Sequence, residues 1–274
     1  MDEITAEYQA AQLSEPALLR SNAEVTVACK TDLGRVRENN EDKFEYYVPE
    51  DTNQLASKGQ VYVVCDGMGG HAAGQIASEL TTKTFIDVYL NHPSSEPDTG
   101  LRAAVAAANR YVYDIQRVVP SRKGMGTTLS ALILLQDRAY TVQVGDSRIY
   151  RLRLGELLQM TTDHTWVEEA LRAGLIRPEE VETHPYKHVL NRAIGTEAQV
   201  AVDVEQFDLV AGDVYLLCSD GLINHVPDAQ IAELLKLAPS ESAWKLVASA
   251  MQGGGSDNCT VLVIRVDDIA RFDV

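Results

Sequence analysis

Apolar and polar positions alternate along this chain in two rhythms, and together these outline the fold. Residues 61–65 are continuously apolar and mostly β-branched, as in a buried strand. Further strands are predicted at 24–31, 43–48, 129–136, from about 139, and at 199–207, 214–219 and 258–266. Residues 127–160 read as an antiparallel meander, with turns at Asp137-Arg138, Gly145-Asp146 and Gly155-Glu156. The helical rhythm is clearest over 100–119, where Leu101, Val105, Ala108, Val112, Ile115 and Val119 share one face. A helix over 71–90 is predicted from Ile76, Leu80 and Thr84 at helical spacing, with Gly74 as a tolerated early interruption. Two more start near Asp228, with Ile231, Leu234 and Leu235 inward, and near Ser240, ending at Gly253. Thr162-Asp163-His164 predicts a cap for a short helix through Arg172, which Gly174 would stop.

Three stretches fall outside these rhythms. Residues 1–22 are polar, weakly helical and interrupted by Pro16, so they read as an extension preceding a domain of 23–268. Residues 164–199 have little apolar periodicity, carry Pro178 and Pro185, and interrupt the strands, as an inserted mobile flap would. The run from Asp32 to Asp42 is a dense polar turn. No repeat, low-complexity tract or linker divides the domain.

Composition narrows the functional classes. The 274 residues are 45% hydrophobic, enough for an ample core. A net charge of −16 argues against binding a nucleic-acid backbone. No apolar run reaches the ~18 residues of a membrane span, and Met1-Asp2-Glu3 lacks the basic and apolar regions of a signal peptide. Cys29, Cys65, Cys218 and Cys259 all fall in predicted strands, as expected of buried reduced thiols in a cytoplasmic protein. Nothing in the sequence demands more than a monomer.

The chemistry gathers at strand ends. The central strand stops at Asp66, followed by Gly67, Gly69 and Gly70. Burying a carboxylate is costly unless a cation compensates it, although Asp-Gly is also a common turn dipeptide. The pattern recurs at Gly145-Asp146 and at Ser219-Asp220, and Asp257 stands just before the last strand. Strand ends far apart in sequence can converge at one sheet edge, and four acids delivered so form a candidate oxygen-ligand site for hard cations. In the polar turn, Arg37 offers a planar fork suited to phosphate oxygens.

Arg37 followed by Glu41-Asp42, Asp66-Gly67-Met68-Gly69-Gly70-His71, Gly126-Thr127-Thr128, Gly145-Asp146-Ser147-Arg148, Ser219-Asp220-Gly221 and Ser256-Asp257-Asn258 occur in that order. Together they resemble the metal-dependent protein serine/threonine phosphatases of the PPM (PP2C-like) family in its bacterial form, over about residues 25–266. The resemblance implies an α+β fold, an αββα sandwich of two antiparallel sheets flanked by helices. It implies that Asp66, Asp220 and Asp257, with the Gly67 carbonyl, bind two core ions, Mn2+ or Mg2+. Glu41 and Asp42 would hold waters on those ions, Asp146 with Asp220 would form a third site, and Arg37 would hold the phosphate. A hydroxide bridging the two ions would attack phosphorus in line, without a phosphoenzyme. Eukaryotic members carry a histidine acid where this chain has Met68; His71, which follows the bacterial pattern, is one candidate for that role and a water on a metal is the other. Implied partners are phosphorylated proteins and a cognate kinase.

Two other classes fit less well. Cys29 and Arg35 have the spacing of a cysteine-dependent phosphatase, but so do Cys259 and Arg265 within a strand, and Asp32 would repel a phosphate dianion. A catalytically silent phosphopeptide-binding module would be expected to lack some of the matched acids, and none is missing.

Overall fold

The computed structural model describes residues 17–69 and 72–272. The first half of the chain comprises β1 (Ser21–Asp32), β2 (Lys43–Tyr47), α1 (Thr52–Lys58), β3 (Gln60–Cys65), the short β4 (Gly67–Met68), α2 (Ala72–Asn91) and α3 (Pro97–Val118). Then come β5 (Gly126–Thr127), β6 (Leu129–Leu135), β7 (Arg138–Val144), β8 (Arg148–Arg153), β9 (Glu156–Gln159), α4 (Trp166–Arg172) and α5 (Pro178–Val181). The chain closes with β10 (Asp203–Asp208), β11 (Val214–Cys218), α6 (Asp220–Ile223), α7 (Asp228–Leu234), α8 (Pro239–Gln252) and β12 (Cys259–Arg271).

Two antiparallel five-stranded sheets, ordered β1-β12-β11-β8-β9 and β10-β7-β6-β3-β2, stack face to face. The twofold period of a strand explains the layering. On β3, Tyr62 and Val64 point between the sheets, where they meet Leu132, Ile149, Leu217 and Ile264. Their neighbours Val61, Val63 and Cys65 point the other way, into a core shared with Phe85, Tyr89, Leu101 and Val105 of α2 and α3. The second sheet does the same: Leu216, Cys218, Val261 and Val263 pack under Ile231, Leu246 and Val247 of α7 and α8. Helices thus cover both outer faces, giving the expected αββα sandwich. Burying each large aliphatic chain contributes about 1.5–3 kcal/mol. Among the described residues no helix is long and apolar enough to cross a membrane.

Several expectations need correction. The 127–160 meander is split: β6 pairs with β7 and β8 with β9, but β7 and β8 belong to different sheets. The Gly145-Asp146-Ser147 turn carries the chain across, a change of sheet that local periodicity does not encode. Helix α2 buries Ala73, Ala77, Ser78, Thr81, Phe85 and Tyr89, while Ile76 and Leu80 sit at the margin of the core. Its buried face combines Phe85 and Tyr89 with small and hydroxylated residues: Ser78 donates to the Glu41 carbonyl and Thr82 to that of Ser78, while the Thr81 hydroxyl is buried with no hydrogen-bond partner among the described residues. β1 begins at Ser21, opposite Arg271, so the sheet extends past both ends of the 23–268 span. Residues 1–16 lie outside the described residues. Cys29 is exposed on this edge strand, whereas Cys65, Cys218 and Cys259 are buried.

Residues 164–199 are better anchored than their composition suggests. Thr165, one residue later than expected, caps α4 by accepting from the Glu168 N–H. Val167, Ala170, Ala193 and Ile194 are buried, and bridges join Thr165 to Leu190 and Thr127 to Ile194. Trp166 stacks on His184 at 4.7 Å and meets the edge of Tyr186 at 5.3 Å.

Candidate active site

Each candidate acid stands where a strand stops or starts. Asp66 follows β3; its N–H donates to Thr128 Oγ1 at 2.9 Å, and its carbonyl accepts from Thr127 Oγ1 at 2.8 Å and from the Thr128 N–H at 2.9 Å. The Gly126-Thr127-Thr128 motif therefore fixes the turn that carries Asp66. Beyond it, Gly67 pairs with Thr127, and its N–H donates to the Glu41 carbonyl. A Cβ on Gly67 would fall 2.2 Å from the Gly74 carbonyl oxygen, and one on Gly74 would fall 2.0 Å from Glu41 Oε2. Close approach, not turn geometry, requires these two glycines, and Gly74 is no incidental interruption of α2.

The first polar loop is fastened to the far end of the chain. Asn258 accepts from the Glu41 N–H at 2.8 Å and donates to the carbonyls of Leu33 and Asn39. Ser219 Oγ donates to Asp42 Oδ2 at 2.7 Å while accepting from the Thr260 N–H. Asp146 follows β7 through Gly145, whose φ of +104° favours glycine. On the other side of Asp146, the Ser147 and Thr128 hydroxyls meet at 2.7 Å, linking the turns of Asp146 and Asp66. Asp220 opens α6 and accepts from Asn224 Nδ2 at 3.2 Å.

These acids share one neighbourhood. Arg37, Glu41, Asp66, Gly67, Asp146, Asp220 and Asp257 line a single cleft of about 980 Å³, and Lys187, His188 and Asn191 of the 164–199 segment form part of its wall. Asp42 lies buried behind the cleft. His71 lies outside the described residues. Arg37 donates to Asp257 Oδ2 at 2.7 Å, so in this structure it is held by a carboxylate.

Clustering and burial oppose ionisation. Burial, and then the charges of Asp42, Asp220, Asp146 and Asp257, push the Asp66 carboxyl well above the usual range. Asp146 is pushed up to about 8, by burial first and then by Asp220 and Asp163. Asp42 is raised to about 7 by burial, despite hydrogen bonds that act the other way. Asp220 moves up as well, through burial and Asp257, with His188 opposing. Asp42 Oδ1 and Asp220 Oδ1 are buried with no hydrogen-bond partner. Among the described residues no three acidic, histidine or cysteine side chains already converge into a closed coordination shell. Yet an all-oxygen donor set with orphaned, mutually repelling carboxylates is what a hard divalent cation relieves. The residues fit such ions.

The thiols point away from a cysteine mechanism. Burial pushes Cys65 and Cys218 up to about 12 and Cys259 upward too, and burial with Glu45 raises Cys29. An activated nucleophile needs the opposite shift.

The model of the family described as Protein phosphatase 2C matches residues 35–254. This chain belongs to the protein phosphatase 2C family. Among similar family members, the Mycobacterium tuberculosis serine/threonine protein phosphatase PstP is 39% identical over 242 residues. That match covers 88% of this chain and 45% of PstP, so the chain spans about half the length of that relative. Serine/threonine phosphatase stp of Listeria monocytogenes is 38% identical over 87% of this chain and 94% of its own length. Phosphatase Stp1 from Staphylococcus aureus shares the fold with a TM-score of 0.83 at 29% identity, covering 93% of this chain and 100% of that one. The PstP catalytic domain in complex with two manganese ions has a TM-score of 0.75 at 38% identity, covering 89% of this chain and 99% of that one.

Sequence reasoning passed over residues that hold the site together. Thr128, Ser219 and Asn258 lay inside the matched motifs, but their hydrogen bonds exist only after strands distant in sequence meet. Lys187, His188 and Asn191 carried no signal at all, because their place depends on how the 164–199 segment folds back.

Proposed function

We propose that this chain is a protein serine/threonine phosphatase that hydrolyses phosphoserine and phosphothreonine by in-line attack of water, without a phosphoenzyme. The observation that carries this reading is the set Asp66, Asp146 and Asp220, each only partly exposed and Asp220 with an orphaned carboxylate oxygen, facing one cleft with Asp257 and the Arg37 guanidinium. Asp66, Asp220, Asp257 and the Gly67 carbonyl would hold two divalent ions, Mn2+ or Mg2+, and Asp146 with Asp220 would hold a third. When bound, these ions supply a water of lowered pKa and positive charge for the phosphoryl oxygens. Glu41 and Asp42 orient waters at the rear of the site, with Asp42 itself held by Ser219.

Arg37 binds and orients the phosphoryl group. Its side chain is 53% exposed and held by one surface ion pair, so it can turn from Asp257 to phosphate oxygens. Its planar fork donates to two oxygens at once. The 164–199 segment faces the peptide part of the substrate through Lys187, His188 and Asn191. Partners on this reading are phosphorylated proteins and a kinase that makes them. The free cysteines fit a reducing compartment, the cytoplasm.

Purified protein should release phosphate from a phosphothreonine peptide in manganese and not in chelator. A silent binding module would retain the peptide but release no phosphate.

A further inference from the structure

His164 is a buried junction of three chain segments. Its side chain is 4% exposed. Nδ1 accepts from the Gly145 N–H at 3.1 Å, and the His164 N–H donates to the Gly145 carbonyl at 2.9 Å. One histidine thus holds both backbone groups of the residue before Asp146. A backbone N–H only donates, so Nδ1 carries no proton and the ring proton sits on Nε2. Nε2 faces Asp203 Oδ2 of β10 at 3.0 Å. Arg192 Nη1 donates to the other oxygen of Asp203 at 2.9 Å and lies 3.2 Å from Nε2. The His164 carbonyl accepts from the N–H of Asn191, which lines the cleft. Burial is the main influence on the ring and lowers its pKa, favouring the neutral form.

Gly145 needs such restraint. It sits at a positive φ with no side chain to pack, and its freedom would pass directly to Asp146. We infer that His164 is a positioning residue, setting the Asp146 carboxylate and the cleft wall at Asn191 as one unit. This rests on reading Asp146 as a ligand of the third ion. Outer partners that orient a metal ligand typically cost about 10- to 100-fold in affinity when lost.

The test is a calorimetric manganese titration of the metal-free chain. It compares wild type with His164→Leu, His164→Asn and Asp203→Ala, with melting temperature and amide hydrogen exchange read alongside. His164→Leu should weaken the weakest site about 10- to 100-fold and leave the tight pair near wild type. His164→Asn puts an amide oxygen where Nδ1 stands and should restore most of that affinity. Asp203→Ala unpins the ring proton and should cost about tenfold at the same site. Exchange at residues 190–194 should quicken in the Leu and Ala variants. If His164→Leu does not fold, Asp203→Ala, at a half-exposed residue, carries the same comparison. Lower melting temperatures with every manganese site unchanged would overturn the inference and leave His164 a plain core residue. A wild type that takes up no manganese would instead overturn the metal reading on which it rests.

Discussion

Arg37 and Asp257 are joined by an ion pair of 2.7 Å, Nη2 to Oδ2, between residues 220 apart in sequence. Both side chains are partly exposed, at 53% and 27%, so the pair contributes at most about 1 kcal/mol. A guanidinium assigned to phosphate therefore rests on a carboxylate assigned to metal, and each could be drawn off by its own ligand.

Arg37→Ala should mainly raise KM for a phosphopeptide, with a smaller fall in kcat, because the contact exists before and during the transition state. Manganese affinity should not weaken, since a competing cation is removed from Asp257. Steady-state kinetics and calorimetry read both. An unchanged KM would make Arg37 a surface residue.

Asp146→Asn should separate stability from function. The charged form is disfavoured in the metal-free fold, with the carboxyl pushed up to about 8. The neutral amide should stabilise metal-free protein at pH 8 by at least about 1 kcal/mol, since a tenfold change in proton affinity is worth about 1.4 kcal/mol. Turnover should fall, most at low manganese. Chemical denaturation and a manganese dependence of rate test the two halves.

Metal-free stability should fall as pH rises from about 4 to about 8. The folded carboxyls of Asp42 and Asp146 titrate near 7 and 8, against an ordinary 3.8. Over that window the folded state binds more protons than the unfolded one, so stability present below pH 4 is lost as pH climbs. Asp66 and Asp220 shift in the same direction. Manganese should flatten or reverse the slope. Melting temperature against pH, in chelator and in manganese, measures it.

Legibility in the sequence followed how local each signal was. β3 and α3 were plain, because a continuous apolar run and a clean helical stripe need no partner to be recognised. The inner face of α2 was only partly legible: Ile76 and Leu80 pack against the core, but the face also buries Ala, Ser and Thr, whose fit depends on the sheet beneath. The sheet change at Gly145 and the polar ends of β1 and β12 emerge only when strands pair, as when Thr26, opposite Arg265, donates its hydroxyl to Asp267. Asp66, Asp146, Asp220 and Asp257 were legible as acids at strand boundaries. The hold of Asp257 on Arg37, and of His164 on Gly145, are tertiary facts.

The 164–199 segment should govern substrate preference more than chemistry. Its base is buried at Val167, Ala170 and Ile194, while Leu175 and Tyr186 are exposed. Replacing residues 173–186 with a short linker should change kcat/KM for phosphopeptides more than for a small aryl phosphate. Equal losses on both would make the segment part of the chemical machinery.

The most direct test sets an acid against thiols. In manganese, kcat on a phosphothreonine peptide is measured for Asp220→Asn and for the double change Cys29→Ser with Cys259→Ser. Asp220 is largely shielded, carries an orphaned oxygen and lines the cleft, and its amide keeps shape while losing the charge cations need. The expected result is a loss of at least ~100-fold for Asp220→Asn, the scale of losing a key electrostatic stabiliser, with the cysteine variant within a few-fold of wild type. A folded cysteine variant that is inactive, beside an Asp220→Asn variant that still turns over, would contradict the metal-dependent mechanism.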